Sequence, residues 1–215
     1  DFCLSRGLGD VYKRQHLVGH DRGARTAHRL ALDHPDAVAS VTLMDIVPTA
    51  VMLTDLRKEV AQSYWHWFFL AQPQPFPEKV IQADPDFFFE TCLFGWGNAG
   101  AEDFDAHQLA AYRNSWRDGA TITGYCNDYR AALVVDLADD LADQGRRIAA
   151  PVQLLYGASG VMAKHYDIPA TWKDRCTSLE SVAVPGGHFF PDSAPDEVVE
   201  HVGAFLSRHP LHAKW

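Results

Sequence analysis

The sequence predicts an α/β protein, a parallel sheet with flanking helices, interrupted in its middle by a run of helices. Residues 16–20 (HLVGH) form a short apolar strand signal, followed at once by a helical pattern over 22–34 that Pro35 stops. A second apolar strand signal covers 38–45 (VASVTLMD). Strand, helix and strand joined by so sharp a first turn read as a parallel crossover unit. From Thr54 to about Leu141 the texture changes. The stretches TDLRKEVAQSYWHWFFLAQ, DPDFFFETCLFGW, DAHQLAAYRNSWRD and NDYRAALVVD are helical and joined by loops with Pro and Gly, with no convincing strand between them. Strand signals return at 151–156 (PVQLLY) and 178–184 (SLESVAV), and an amphipathic helix over 196–208 closes the pattern. No internal repeat or low-complexity tract interrupts it.

A chain of 215 residues is long enough to bury a real core, and 47% hydrophobic with 22% charged residues is ordinary for a globular domain. The formal charge of −9 argues against nucleic acid or an anionic membrane as the main partner. No apolar run is long enough to span a bilayer. Cys3, Cys92, Cys126 and Cys176 show no paired spacing, so reduced thiols and a cytoplasmic location are expected. The eleven histidines fall into no H-E-x-x-H or similar cluster, so neither a metal nor a cofactor is expected.

Residues 1–15 carry neither helical nor strand periodicity and no signal peptide. Their last six letters, DVYKRQ, match a translated transposon mosaic end of a sequencing library. A non-native leader is therefore expected, with the natural sequence resuming near His16 and its upstream strands missing. A chain of that kind is expected to be inactive and prone to aggregate through an unpaired sheet edge.

Gly19-His20-Asp21-Arg22-Gly23 has the form of a nucleophile elbow, G-x-S-x-G, with aspartate in place of serine. An elbow projects its nucleophile above the sheet at a helix N-terminus, where an anion is favoured. A carboxylate is already ionised at neutral pH and needs no base. It suits displacement at an sp³ carbon bearing a leaving group, giving an ester that water then cleaves. An ordinary helix N-cap would explain the residue type but not the glycines. Arg22 and Arg25 lie three apart in the first turn, where cations cost about 0.3–1 kcal/mol each. A bidentate grip on a substrate carboxylate gives them a use; the competing reading is surface pairing with Asp33 and Asp36. His188, in PGGHFF after the last strand signal, stands where a general base belongs, and its ordinary pKa suits that role. A core histidine is the alternative. The acid partner stays open between Asp45, at the end of the second strand, and Asp167.

The motif GHDRG with Arg25, together with DIVPT, YWHW, FGWG and PGGHFF, resembles the haloacetate (fluoroacetate) dehalogenases of the α/β-hydrolase superfamily. The resemblance covers essentially everything after residue 15. It implies a partial α/β-hydrolase fold: a core from residues 16–50 and 145–215, its N-terminal strands missing, with a helical cap over 51–144. It implies hydrolytic dehalogenation of a small haloacid, with Asp21 as nucleophile, His188 as base and Asp45 as the acid, since these enzymes use that strand end; Asp167 is the fallback. The family's halide pocket would fall on His66, Trp67 and Tyr129, three uncharged donors, with Trp96 as a pocket wall. Trp65, Phe68 and Phe69 are read as packed core. A small ring-walled pocket would favour two-carbon acids. A homodimer is implied by the family alone. The rivals are an epoxide hydrolase, using cap tyrosines such as Tyr64, Tyr112, Tyr125 and Tyr129, and a non-catalytic binder of small acids.

Overall fold

The computed structural model describes residues 14–95 and 100–211. Four parallel strands, β1 (Gln15–His20), β2 (Val38–Met44), β3 (Val152–Gly157) and β4 (Leu179–Val184), form one sheet in the order β1-β2-β3-β4. The sheet is the expected α/β core. Its register aligns His20 with Met44, Met44 with Leu155, and Leu155 with Val182. The carboxyl ends of the first three strands therefore finish at one edge, and the turns that leave them meet there. That edge is where open parallel sheets place their sites. Val41 and Leu43 of β2 are wholly buried, and so are Ser40 and Thr42, as expected for a strand covered on both faces.

Helix α1 (Arg22–Asp33) returns along β1 and β2 with Ala24, Ala27, Ala31 and Leu32 buried. Among the described residues, eight α-helices then lie between β2 and β3: α2 (Thr49–Thr54), α3 (Lys58–Ser63), α4 (Trp65–Leu70), α5 (Phe76–Ala83), α6 (Pro85–Gly95), α7 (Ala106–Trp116), α8 (Gly119–Ala131) and α9 (Leu137–Ala142). A π-helical turn, Ala132–Asp136, joins α8 to α9. The remaining helices are α10 (Val161–His165), α11 (Ile168–Trp172), α12 (Phe190–Ser193) and α13 (Pro195–Arg208).

Helix boundaries depart from the periodicity in three places. The signal over 54–72 is broken into separate helices, because Tyr64 (φ −102°, ψ 28°) ends α3 and starts α4 on a new axis. That break turns Trp67 fully inward and leaves Trp65 40% exposed, against the expectation of a packed Trp65. Phe68 and Phe69 do pack, partly buried, on the core. Helix α5 hides in a proline-rich stretch, where Pro77 occupies the first turn and its missing N–H costs nothing. Helix α8 begins at Gly119, well before its sequence signal, because Asp118 caps it by accepting from the Thr121 N–H at 2.9 Å.

The expected leader falls mostly on residues 1–13, outside the described residues. Arg14 donates through Nε (3.0 Å) and Nη2 (2.6 Å) to the Val38 carbonyl, and Gln15 opens β1. Cys92, Cys126 and Cys176 are free thiols; Cys3 lies outside the described residues. Among the described residues no helix is long and apolar enough to cross a membrane.

Candidate active site

Two aspartates stand at the aligned strand ends, and both are strained. Asp21 follows β1 with φ 48°, and Asp45 follows β2 with φ 51°; among the described residues they are the non-glycine positions with positive φ. Side chains rarely accept that region unless the surroundings hold it. Each is tied to the next strand: the Asp21 N–H donates to the Met44 carbonyl (3.2 Å) and the Asp45 N–H to the Leu155 carbonyl (2.9 Å). The Asp21 side chain makes no capping hydrogen bond, so the N-cap reading does not describe it. The first elbow glycine has a steric reason. A Cβ on Gly19 would stand 2.6 Å from the Gly23 carbonyl oxygen, so helix α1 could not start so close to β1.

Asp45 is 2% exposed and holds two partners. Its Oδ2 meets His188 Nδ1 at 2.7 Å, and its Oδ1 accepts from the Gly157 N–H at 3.0 Å. Gly157 is needed there because a side chain would run into the Gly187 carbonyl, which explains the close Gly-Gly approach to His188. The fallback acid is displaced: Asp167 is an exposed N-cap of α11, accepting from the Ala170 N–H at 3.1 Å. His188 is buried, which works against its charge, but the hydrogen bond and charge of Asp45 and the charge of Asp21 raise its pKa above the ordinary value. Burial likewise works against an ionised Asp21. His188, His20, Arg25 and His66 more than offset it, so the carboxyl stays below its usual pKa.

The sequence reading passed over His20. Its ring centre is 4.7 Å from that of His188, and its Nε2 donates 2.8 Å to the His188 carbonyl. Its place directly before the elbow aspartate was the available signal.

The arginines have protein partners that the sequence did not indicate. Arg22 does not pair with Asp33 or Asp36; Asp33 instead pairs with Arg29. Arg22 lays its Nε and Nη2 edge on Asp128 (2.5 and 3.1 Å), and Nη2 also reaches Asp136 (2.7 Å). Its Nε and Nη2 edge is therefore engaged by carboxylates of the inserted helices. Arg25 is buried and donates Nη1 to the Val47 carbonyl (3.0 Å) and Thr49 Oγ1 (2.9 Å). The two guanidinium carbons lie 5.5 Å (Arg22) and 4.8 Å (Arg25) from the centre of the Trp67 ring. Around that ring three buried donors have no hydrogen-bond partner among the described residues: Arg22 Nη1, Arg25 Nε and Trp67 Nε1. Leaving such a donor unpaired costs about 1–3 kcal/mol each, so the cluster is built for an acceptor.

His66, Trp67 and Tyr129 come together from α4 and α8. The Tyr129 ring is 5.5 Å from His66 and 5.4 Å from Trp67, edge to face in both cases. Burial pushes His66 down to about 3, so it is a neutral donor. Trp96 lies outside the described residues. A cleft lined by Asp21, Arg22, Tyr129 and His188 adjoins an apolar cavity of about 310 Å³ lined by Asp21, His66, Phe88, Phe89, Leu93 and Trp116. That volume is at the lower end of the roughly 300–1,000 Å³ of small-molecule sites.

The family profile described as alpha/beta hydrolase fold matches residues 12–195. The chain belongs to the alpha/beta hydrolase fold family. The fold orders its catalytic groups along the chain as nucleophile, acid and histidine, and the candidates Asp21, Asp45 and His188 stand in that order. A fluoroacetate dehalogenase from Burkholderia sp is 50% identical over 204 residues, covering 95% of this chain and 66% of the relative. Epoxide hydrolase 3 from Mus musculus is 26% identical over 202 residues, covering 93% and 53%. The chain thus spans just under two thirds of the first relative and about half of the second. Among solved structures, one from Nostoc sp PCC 7120, provisionally designated an alpha/beta hydrolase, shares 42% identity at a TM-score of 0.86, over 90% of this chain and 66% of that one. Another, from Pseudomonas aeruginosa, provisionally designated an epoxide hydrolase and solved as a mutant with bound MFA, shares 39% identity at 0.85, over 92% and 67%.

Proposed function

We propose that this alpha/beta hydrolase removes halide from small halo acids such as fluoroacetate, yielding glycolate and halide. The observation that carries the reading is the ring of unpartnered donors, Arg22 Nη1, Arg25 Nε and Trp67 Nε1, beside an ionised Asp21. Two nearby cations and an indole N–H fit a carboxylate and a departing halide better than they fit a neutral substrate. The 50% identity to a fluoroacetate dehalogenase supports the same class.

In the first half-reaction an Asp21 oxygen attacks the halogen-bearing carbon from behind. The new C–O bond forms as the C–F bond breaks, and the electron pair leaves with fluoride. Donors from His66, Trp67 and Tyr129 face the charge that develops there. Arg22 and Arg25 hold the substrate carboxylate and reduce its repulsion by Asp21. In the second half-reaction His188, oriented by Asp45, takes a proton from water as the hydroxide attacks the Asp21 carboxyl carbon. As the tetrahedral intermediate collapses, the departing glycolate oxygen takes that proton from His188, and the Asp21 carboxyl group loses its remaining proton to solvent, restoring the carboxylate. Single turnover of fluoroacetate by the full-length protein in ¹⁸O-water tests this directly. One heavy oxygen should enter Asp21, and Asp21→Asn should release no fluoride; label found only in glycolate removes the mechanism.

One observation favours a second reading, epoxide opening. Tyr125 and Tyr129 line the 310 Å³ apolar cavity and could donate to an epoxide oxygen. Diol formation from a neutral epoxide, faster than fluoride release, would decide for it.

A further inference from the structure

We infer that Asp128 and Asp136 set how tightly the site holds a carboxylate, by competing with the substrate for Arg22. The inference rests on the proposed role of Arg22 as a carboxylate ligand. Asp128 lies on α8 and Asp136 at the end of the π turn, both in the inserted helices, whereas Arg22 opens α1 beside Asp21. Eight positions separate the two acids, slightly more than the about 7.2 residues of two α-helical turns. The wider π turn between them absorbs the surplus, so both carboxylates face one guanidinium.

The consequence lies in the charges. Asp21, Asp128 and Asp136 supply three negative charges, and Arg22 and Arg25 supply two positive ones. With His20 and His66 neutral, a carboxylate entering beside Asp21 meets no surplus of positive charge from these five groups. Arg22 can offer it only Nη1, because Nε and Nη2 are engaged. The two acids thus weaken anion binding and ease release of the anionic product. Asp136 is the informative position. The bidentate contact with Asp128 keeps Arg22 in place when Asp136 is neutralised, so the substitution changes charge while sparing geometry.

The test is binding of acetate and of acetamide to the parent, Asp136→Asn and Arg22→Leu proteins by titration calorimetry, alongside haloacetate turnover. Asp136→Asn should tighten acetate roughly three- to tenfold, shrinking as ionic strength rises, and leave acetamide unchanged. KM for the haloacetate should fall with it. Equal or weaker acetate binding in Asp136→Asn, or equal shifts for acetate and acetamide, overturns the inference, since a purely structural role would move both ligands together. Acetate binding indifferent to Arg22→Leu also overturns it. Absence of fluoride release with this acetate pattern intact would instead overturn the dehalogenase reading alone.

Discussion

His20 donates to the main-chain carbonyl of His188 at 2.8 Å while its ring lies 4.7 Å from the His188 imidazole. The residue before the candidate nucleophile therefore pins the loop that carries the candidate base. Burial and the neighbouring His188 push His20 down to about 4, so it is neutral at pH 7 and carries its proton on the nitrogen that faces the carbonyl. His20→Phe keeps a ring but strands that carbonyl. A loss of about 1–3 kcal/mol in urea unfolding is expected. A variant as stable as the parent would show that the contact is incidental.

Removing the base should separate the two half-reactions. His188→Ala leaves Asp21 able to attack but no group to activate water, so one equivalent of halide should appear and then stop. Intact-mass measurement should find the ester on the protein. Asp45→Asn should slow turnover by about 10²–10⁴-fold by the same route, since the imidazole loses its orientation. Sustained turnover in His188→Ala excludes it as the base.

Acid should destabilise the fold earlier than carboxylate titration alone would. Burial lowers His20 and His28 to about 4 and His66 to about 3, from an ordinary value of 6.5. Between those values and 6.5 the unfolded chain binds protons that the folded chain refuses, so stability falls as pH falls. With three such groups the slope near pH 5 approaches roughly 4 kcal/mol per pH unit. His188 is shifted the other way; its raised pKa adds stability below 6.5 that is lost as pH rises through the folded value. Thermal unfolding followed from pH 7 to 4.5 reads the first effect, and a flat profile contradicts it.

The two elbow glycines should behave oppositely. Gly19→Ala drives a methyl group against the Gly23 carbonyl and should cost about 1–3 kcal/mol. Gly23 has open space at its Cβ position and lies in α1, so Gly23→Ala should be neutral or stabilise by up to about 1 kcal/mol. Denaturant midpoints of the two variants compare them, and equal losses would contradict the packing described at the strand end.

Much of the fold was legible because periodicity is local. The four strands and α1 announce themselves within a residue or two, since a buried parallel strand is a short apolar run and the crossover helix keeps its alanines on one face. Helices α5 and α8 were obscured where Pro77 or Gly119 and Thr121 stand in a first turn that capping and packing nonetheless support.

By itself the sequence determined the α/β class and the elbow form around Asp21, and it marked His66, Trp67, Tyr129 and His188 as candidates for one site. Those follow from spacing, glycine positions and motif resemblance, which are properties of neighbouring residues. Only the tertiary structure decided that Asp45 rather than Asp167 faces His188, that His20 braces that histidine, and that Arg22 is engaged by Asp128 and Asp136. Each contact formed joins residues more than a hundred positions apart. Such pairings depend on how the sheet register and the π turn orient side chains in space, and no local pattern encodes that orientation.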